Sequence, residues 1–185
     1  MAANPAPNVT WVPSPNFHPG RQGHQILAIV DHIMAGTLSG TDAWFQNPAS
    51  QVSAHYGVGR SGEIHKYVRD EDTAWHAGEV VQPTAPLRAQ YPTLNLNLIT
   101  VGIEHEGESG DHLTDAQYAA TLWLHRTVIA AYGIPVDRTH IILHHEIDAN
   151  HGGCPGPGFP IDRLMADLAA PPAGEAGGGS TPQRT

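Results

Sequence analysis

The sequence holds a single cysteine, Cys154, and a single lysine, Lys66, among its 185 residues. A lone cysteine cannot close an intramolecular disulfide, so no disulfide framework holds this chain, and the thiol is left as a core residue, a reactive group or a metal ligand. Basic residues are scarce: 9 Lys and Arg stand against 18 Asp and Glu, a formal charge of -9. That balance excludes the clustered positive surface on which phosphate-backbone binding and anionic-membrane binding depend, so neither nucleic acid nor membrane is expected as a partner. No apolar run approaches the roughly 20 residues of a bilayer span. Residues 1–8 lack the basic and apolar regions of a secretory signal, and the expectation is synthesis in the cytoplasm.

Histidine is the residue in excess, 13 in all. The length and the 40% apolar content suit one compact domain. Residues 1–23, rich in Pro, Asn and Gly, are expected as an irregular segment packed on that domain, 24–170 as the domain itself, and 171–185 as a flexible tail. Residues 26–32 form a nearly continuous apolar run, the pattern of a strand buried on both faces, with His32 at its end. Thr41 or Asp42 can cap a short helix through Phe45 that Pro48 stops. Residues 53–59 and 63–68 flank a Gly-containing turn and predict a hairpin. The stretch 79–96, with Pro83, Pro86 and Pro92, reads as a long surface loop.

A second buried strand over 96–105 runs directly into Glu104 and His105. Thr114 and Gln117 have the spacing of a capping box for a helix to Tyr132, ended by Gly133 and Pro135. Residues 141–146 predict a third strand, and Pro160 can open a last helix to about Ala170. Strands alternating with helices, plus one hairpin, predict an α/β fold: a single domain with a central mixed β-sheet flanked by helices, its functional groups gathered where strands end.

His32 and His144 at strand ends, with Cys154 ten residues further on, offer two imidazoles and a thiolate, the count of a catalytic zinc site with one open position. Because adjacent strand residues point to opposite faces, either His144 or His145 can share the face of Cys154, and spacing does not choose between them.

These residues also carry a resemblance. Ile29-Val-Asp-His32-Ile-Met-Ala-Gly, Val52-Ser-Ala-His-Tyr56, Ala74-Trp-His-Ala-Gly78, Val101-Gly-Ile-Glu104, and His144-His-Glu-Ile-Asp with Cys154-Pro-Gly-Pro-Gly-Phe159 are similar to the zinc-dependent N-acetylmuramoyl-L-alanine amidases, in the family's order over residues 25–168. That family includes amidase-type phage endolysins, bacterial wall amidases and peptidoglycan recognition proteins. The resemblance implies one zinc ion held by His32, His144 and Cys154, and makes His145 a neighbour. Several branches carry Asp as third ligand and the non-catalytic recognition proteins lack the cysteine, so Cys154 points to an enzyme.

The implied reaction is hydrolysis of the amide between the lactyl group of N-acetylmuramic acid and the L-alanine of the stem peptide, with zinc polarising the carbonyl and acidifying water. Glu104 matches the catalytic glutamate. Many relatives carry Lys or Thr two residues before the third ligand, where this chain has Gly152, and His151 is the expected substitute donor to the oxyanion. His55, Tyr56, Trp75, His76 and Asn97 are expected to line or contact the peptidoglycan groove. His18, His24, His112, His125 and His140 are expected to be surface or packing residues. With no signal segment and no separate wall-binding domain, the expectation is a monomeric phage or prophage endolysin that reaches the cell wall after holin-type release. A cytosolic anhydromuropeptide-recycling amidase and a non-cutting peptidoglycan-binding module are the competing readings.

Overall fold

The computed structural model describes residues 7–171. In chain order the elements are β1 (Val9–Trp11), β2 (Phe17–His18), β3 (Ala28–Ile33), α1 (Leu38–Gln46), β4 (Tyr56–Val58), β5 (Ile64–Lys66), β6 (Thr73–Ala74), α2 (Pro86–Gln90), β7 (Thr100–His105), α3 (Asp115–Tyr132), β8 (Ile141–Leu143) and α4 (Ile161–Ala169). Six strands form one mixed sheet in the order β1-β5-β4-β7-β3-β8, and β2 pairs antiparallel with β6. The central strands β4, β7, β3 and β8 run parallel. The hairpin β4–β5 supplies the antiparallel step.

Both faces of the centre are covered, as the unbroken apolar runs of β3 and β7 require. Alternation sends Ile29, Val101, Ile103 and Ile141 to one face, where Tyr118, Leu124 and Val128 of α3 and Leu164 and Leu168 of α4 pack on them. Ala28, Val30 and Ile142 go to the other face, under Leu87 of α2 and Leu96, Leu98 and Ile99. His32 shares the second parity with Ala28 and Val30, and Glu104 shares it with Thr100 and Gly102. Sequence parity thus aims the imidazole and the carboxylate out of the same side of the sheet.

The α/β expectation holds, with local differences. Residues 9–11 and 17–18, expected as irregular, form β1 and β2, because neighbouring strands offer free backbone partners: β1 extends the sheet beside β5. α1 begins before Thr41, since Thr37 accepts a hydrogen bond from Gly40 N and caps it. Asp42 is occupied elsewhere, accepting from the Tyr67 hydroxyl and facing His65. Part of the expected surface loop 79–96 folds as α2 and buries Leu87. The strand expected over 96–105 starts at Thr100, preceded by a 3-10 turn at Leu96–Leu98 in which Asn95 accepts from Asn97 N.

α3 is capped at its start by Thr114 and at its end by Gly133 in a left-handed conformation (φ 66°), as expected. Gln117 does not close a capping box, because its Nε2 donates to Val58 O and Glu106 O at the ends of β4 and β7. The third strand stops at Leu143: Glu146 accepts from Leu143 N while gripping Arg138, which turns residues 144–146 into a 3-10 turn. Apart from residue 171, the expected tail lies outside the described residues.

Candidate metal centre

Register assembles the first two groups. In the parallel pair of β3 and β7, His32 stands opposite Glu104. His144 enters from the 3-10 turn after β8, and Cys154 from the loop that folds back on it, where His145 N donates to Cys154 O at 2.9 Å. Ile33 N donates to Cys154 Sγ at 3.3 Å, which hangs the thiol beside the end of β3. One ligand atom from each of His32, His144 and Cys154 lies within 4.8 Å of the other two. Ligands of tetrahedral zinc sit about 3.5 Å apart, so the trio has to contract by about 1 Å.

The donor groups fit such an ion on their own chemistry. Neither ring nitrogen of the buried His144 makes a well-formed hydrogen bond, although the Ala77 backbone lies near. A buried polar atom without a partner costs about 1–3 kcal/mol, a loss that coordination removes. Two imidazoles and a thiol with one open side suit zinc better than the oxygen-preferring cations.

The electrostatics agree. Burial first, then neighbouring His151, lowers His144 to a pKa of about 4, and burial followed by the surrounding imidazoles holds His32 well below its ordinary value. Both therefore keep lone pairs at neutral pH. Burial, with the Glu104 carboxylate next, pushes the Cys154 thiol up to about 12. Glu104 is part exposed as a residue, but its Oε2 is sealed from solvent without a hydrogen-bond partner, and burial raises its pKa to about 8.

These four side chains line a cleft of ≈ 310 Å³ together with Trp75, His76 and His151. The ring of His151 stacks on His144 with centroids 4.6 Å apart, and its Nδ1 lies 2.9 Å from Asp148 Oδ2. Three residues expected to touch substrate lie elsewhere. His55 is fully buried, accepting from Gly102 N and facing Arg21. Tyr56 turns to the α3 side of the sheet, where its hydroxyl donates to Asp70. Asn97 is buried, and its Oδ1 accepts from His76 N and Ala77 N, so it shapes the wall behind the cleft.

Sequence reasoning missed Trp44, which lines the cleft while 55% exposed, and Asp148, the partner of His151. The adjacent aromatics Trp44 and Phe45 were a usable signal, since two neighbours on one helix cannot both face the same core. Asp148 had none, because its pairing depends on a 3-10 turn at Ala149–His151.

Residues 22–157 match the family described as N-acetylmuramoyl-L-alanine amidase. The chain is 33% identical to N-acetylmuramoyl-L-alanine amidase A of Achromobacter lyticus over 67% of this chain and 63% of that protein, so it spans a little under two thirds of that relative's length. It is 34% identical to the 1,6-anhydro-N-acetylmuramyl-L-alanine amidase AmpD of Salmonella typhimurium, over 76% of this chain and 71% of that one. A solved structure of an AmpD selenomethionine derivative superposes with a TM-score of 0.71 at 26% identity, covering 86% of this chain and 94% of the other.

Proposed function

The chain belongs to the N-acetylmuramoyl-L-alanine amidase family, and from that membership we propose that it hydrolyses the amide joining N-acetylmuramic acid to the L-alanine of the peptidoglycan stem peptide. The observation that carries this reading is the convergence of His32, His144 and Cys154 within 4.8 Å, with Glu104 in register beside His32. His32, His144 and Cys154 would hold one zinc ion. Zinc bound there supplies Lewis acidity, polarising the scissile carbonyl and making water a competent nucleophile near neutral pH.

Every other part of the chemistry falls to side chains. The Glu104 carboxylate, which lines the cleft, takes the proton of the attacking water and passes it to the departing alanine nitrogen. Its ionised form is favoured beside a bound cation, which offsets the burial that lifts its pKa to about 8. His151 gives its Nδ1–H to Asp148, so it donates to the developing oxyanion from Nε2–H as the imidazolium. Trp44 and Trp75 wall the cleft and give the sugar and peptide apolar surface to lie on. Recognition rests on these contacts, since the net charge of -9 offers no general attraction to anionic wall polymers.

The biological setting expected from the sequence is a phage or prophage endolysin acting as a monomer. Relatives named for 1,6-anhydromuramyl substrates favour the second reading, a recycling amidase for soluble anhydromuropeptides. One experiment tests both levels. Zinc-loaded protein is incubated with purified sacculi and, separately, with soluble anhydromuropeptides, and products are identified by mass spectrometry. Release of free L-alanine amino termini, abolished in Glu104→Ala, supports the amidase reading, and its absence on both substrates sinks it. Preference for sacculi supports the endolysin role, and preference for anhydromuropeptides supports recycling.

A further inference from the structure

His76 was expected to contact substrate, yet both of its ring nitrogens are committed within the protein. Nδ1 lies 3.2 Å from His32 Nε2, and Nε2 lies 3.1 Å from Thr100 Oγ1. The ring sits flat against β7 at Gly102, where an added Cβ would come within 2.5 Å of His76 Cγ. Asn97 Oδ1, accepting from His76 N and Ala77 N, holds the backbone of this segment. Thr100 is wholly buried and His76 nearly so, which leaves the pair little access to solvent.

Counting protons along this row gives it a direction. Thr100 Oγ1 lies 2.8 Å from the carbonyl of Leu96, which can only accept, so the single hydroxyl proton goes there. Oγ1 must then accept from His76 Nε2–H. The neutral ring of His76 consequently has its lone pair at Nδ1, which accepts from His32 Nε2–H. His32 is left with a lone pair on Nδ1, the nitrogen that faces Cys154 Sγ at 3.9 Å. With the opposite sense, Thr100 donating to His76, the proton of His32 would sit on Nδ1 and block the ligand position.

We propose that Thr100 and His76 are positioning residues that fix the tautomer of His32, so that its Nδ1 is the metal-binding atom before any metal arrives. The inference rests on the zinc reading of the site. Gly102 belongs to the device as the gap in β7 that admits the His76 ring. Outer partners of metal-binding histidines typically contribute 10- to 100-fold to affinity.

The test uses the whole chain and two readouts. Zinc affinity is measured by competition with a chromogenic chelator for wild type, Thr100→Val and Thr100→Ser, and for His76→Leu and His76→Asn. Long-range 15N–1H spectra of metal-free and zinc-loaded wild type report which nitrogen of His32 carries the proton. Thr100→Val and His76→Leu should bind zinc about 10- to 100-fold more weakly, whereas Thr100→Ser and His76→Asn, which keep an acceptor, stay within a few-fold of wild type. The spectra should show His32 protonated at Nε2 in both forms. Equal affinity in Thr100→Val and wild type, or a proton on His32 Nδ1, overturns the proposal. If wild type fails to bind zinc at all, the zinc reading fails, and the metal-free spectrum still decides the tautomer row.

Discussion

Asp31 Oδ2 lies 3.2 Å from His125 Nε2, and neither side chain has any exposure to solvent. The contact joins β3 to α3 on the face of the sheet opposite the cleft. His125 Nδ1 also faces an acceptor, Thr121 O at 2.9 Å, so both ring nitrogens are placed to donate. Burial opposes a charge here, but the Asp31 carboxylate and the hydrogen bonds to Asp31 and Thr121 outweigh it, and the pKa of His125 is raised above 6.5. A raised histidine stabilises the fold fully below its unfolded value near 6.5, and that contribution is lost as pH climbs through the folded pKa. Asp31→Asn should therefore cost about 3–5 kcal/mol near pH 6 and less as pH rises. Urea unfolding of both proteins from pH 6 to 9 measures this, and a difference that does not vary with pH would count against a charged His125.

Glu104 predicts a slope of the same sign from a different cause, burial without a partner. Its folded pKa of about 8 lies above the ordinary 4.5, so the metal-free native state binds a proton that the unfolded chain has released. Stability then falls as pH rises from about 4.5 to 8. Glu104→Gln removes the burdened carboxyl and should stabilise the metal-free protein at pH 8 by a few kcal/mol while abolishing turnover. Thermal melts with chelator present check the first half and amide hydrolysis the second. A variant no more stable than wild type at pH 8 would show that Glu104 is ionised without cost.

Much of this site was legible because its residues sit at the ends of regular elements. The parity of β3 and β7 follows from apolar runs, and parity alone sends His32 and Glu104 to one side. Cys154 was visible through chemistry, being the single thiol of a chain rich in histidine. Legibility failed where one short motif serves two purposes. Val52-Ser-Ala-His-Tyr56 carries a resemblance to the family, yet His55 and Tyr56 support the sheet from behind the cleft and Ser53 alone of these polar residues lines it. The choice between His144 and His145 could not come from strand alternation, since Glu146 ends the strand before either residue.

Metal uptake should release protons in a number set by two groups. In the metal-free protein at pH 7 the Cys154 thiol, at about 12, and the Glu104 carboxyl, at about 8, are mainly protonated. Coordination needs the thiolate, and a cation beside Glu104 favours its carboxylate. Titrating zinc into weakly buffered protein with a pH indicator should release about two protons in wild type and about one in Glu104→Gln. Cys154→Ser should bind zinc far more weakly, and dialysis against a chelator should abolish wild-type activity until zinc is restored. Uptake without proton release would remove Cys154 from the ligand set.

His151 stands where its chemistry can replace what Gly152 lacks. It stacks on His144 and turns Nδ1 toward Asp148, leaving Nε2 free of a protein partner among the described residues. Because Nδ1–H is given to Asp148, Nε2 donates to the oxyanion only as the imidazolium, and if it does, His151→Ala should keep zinc affinity and lose about 10²- to 10³-fold in kcat, with little change in KM. The backbone permits a decisive rescue. Gly152 does not occupy the left-handed region, and a Cβ there meets only Ala149 O, at 3.7 Å, which is ordinary contact. Gly152→Lys introduced into His151→Ala therefore places an amine at the position where many relatives carry one, and kcat should recover by at least tenfold. Full turnover in zinc-loaded His151→Ala would end the oxyanion role, and failure of the lysine to rescue a slow variant would mean that His151 acts by steadying His144 and not by donating to substrate.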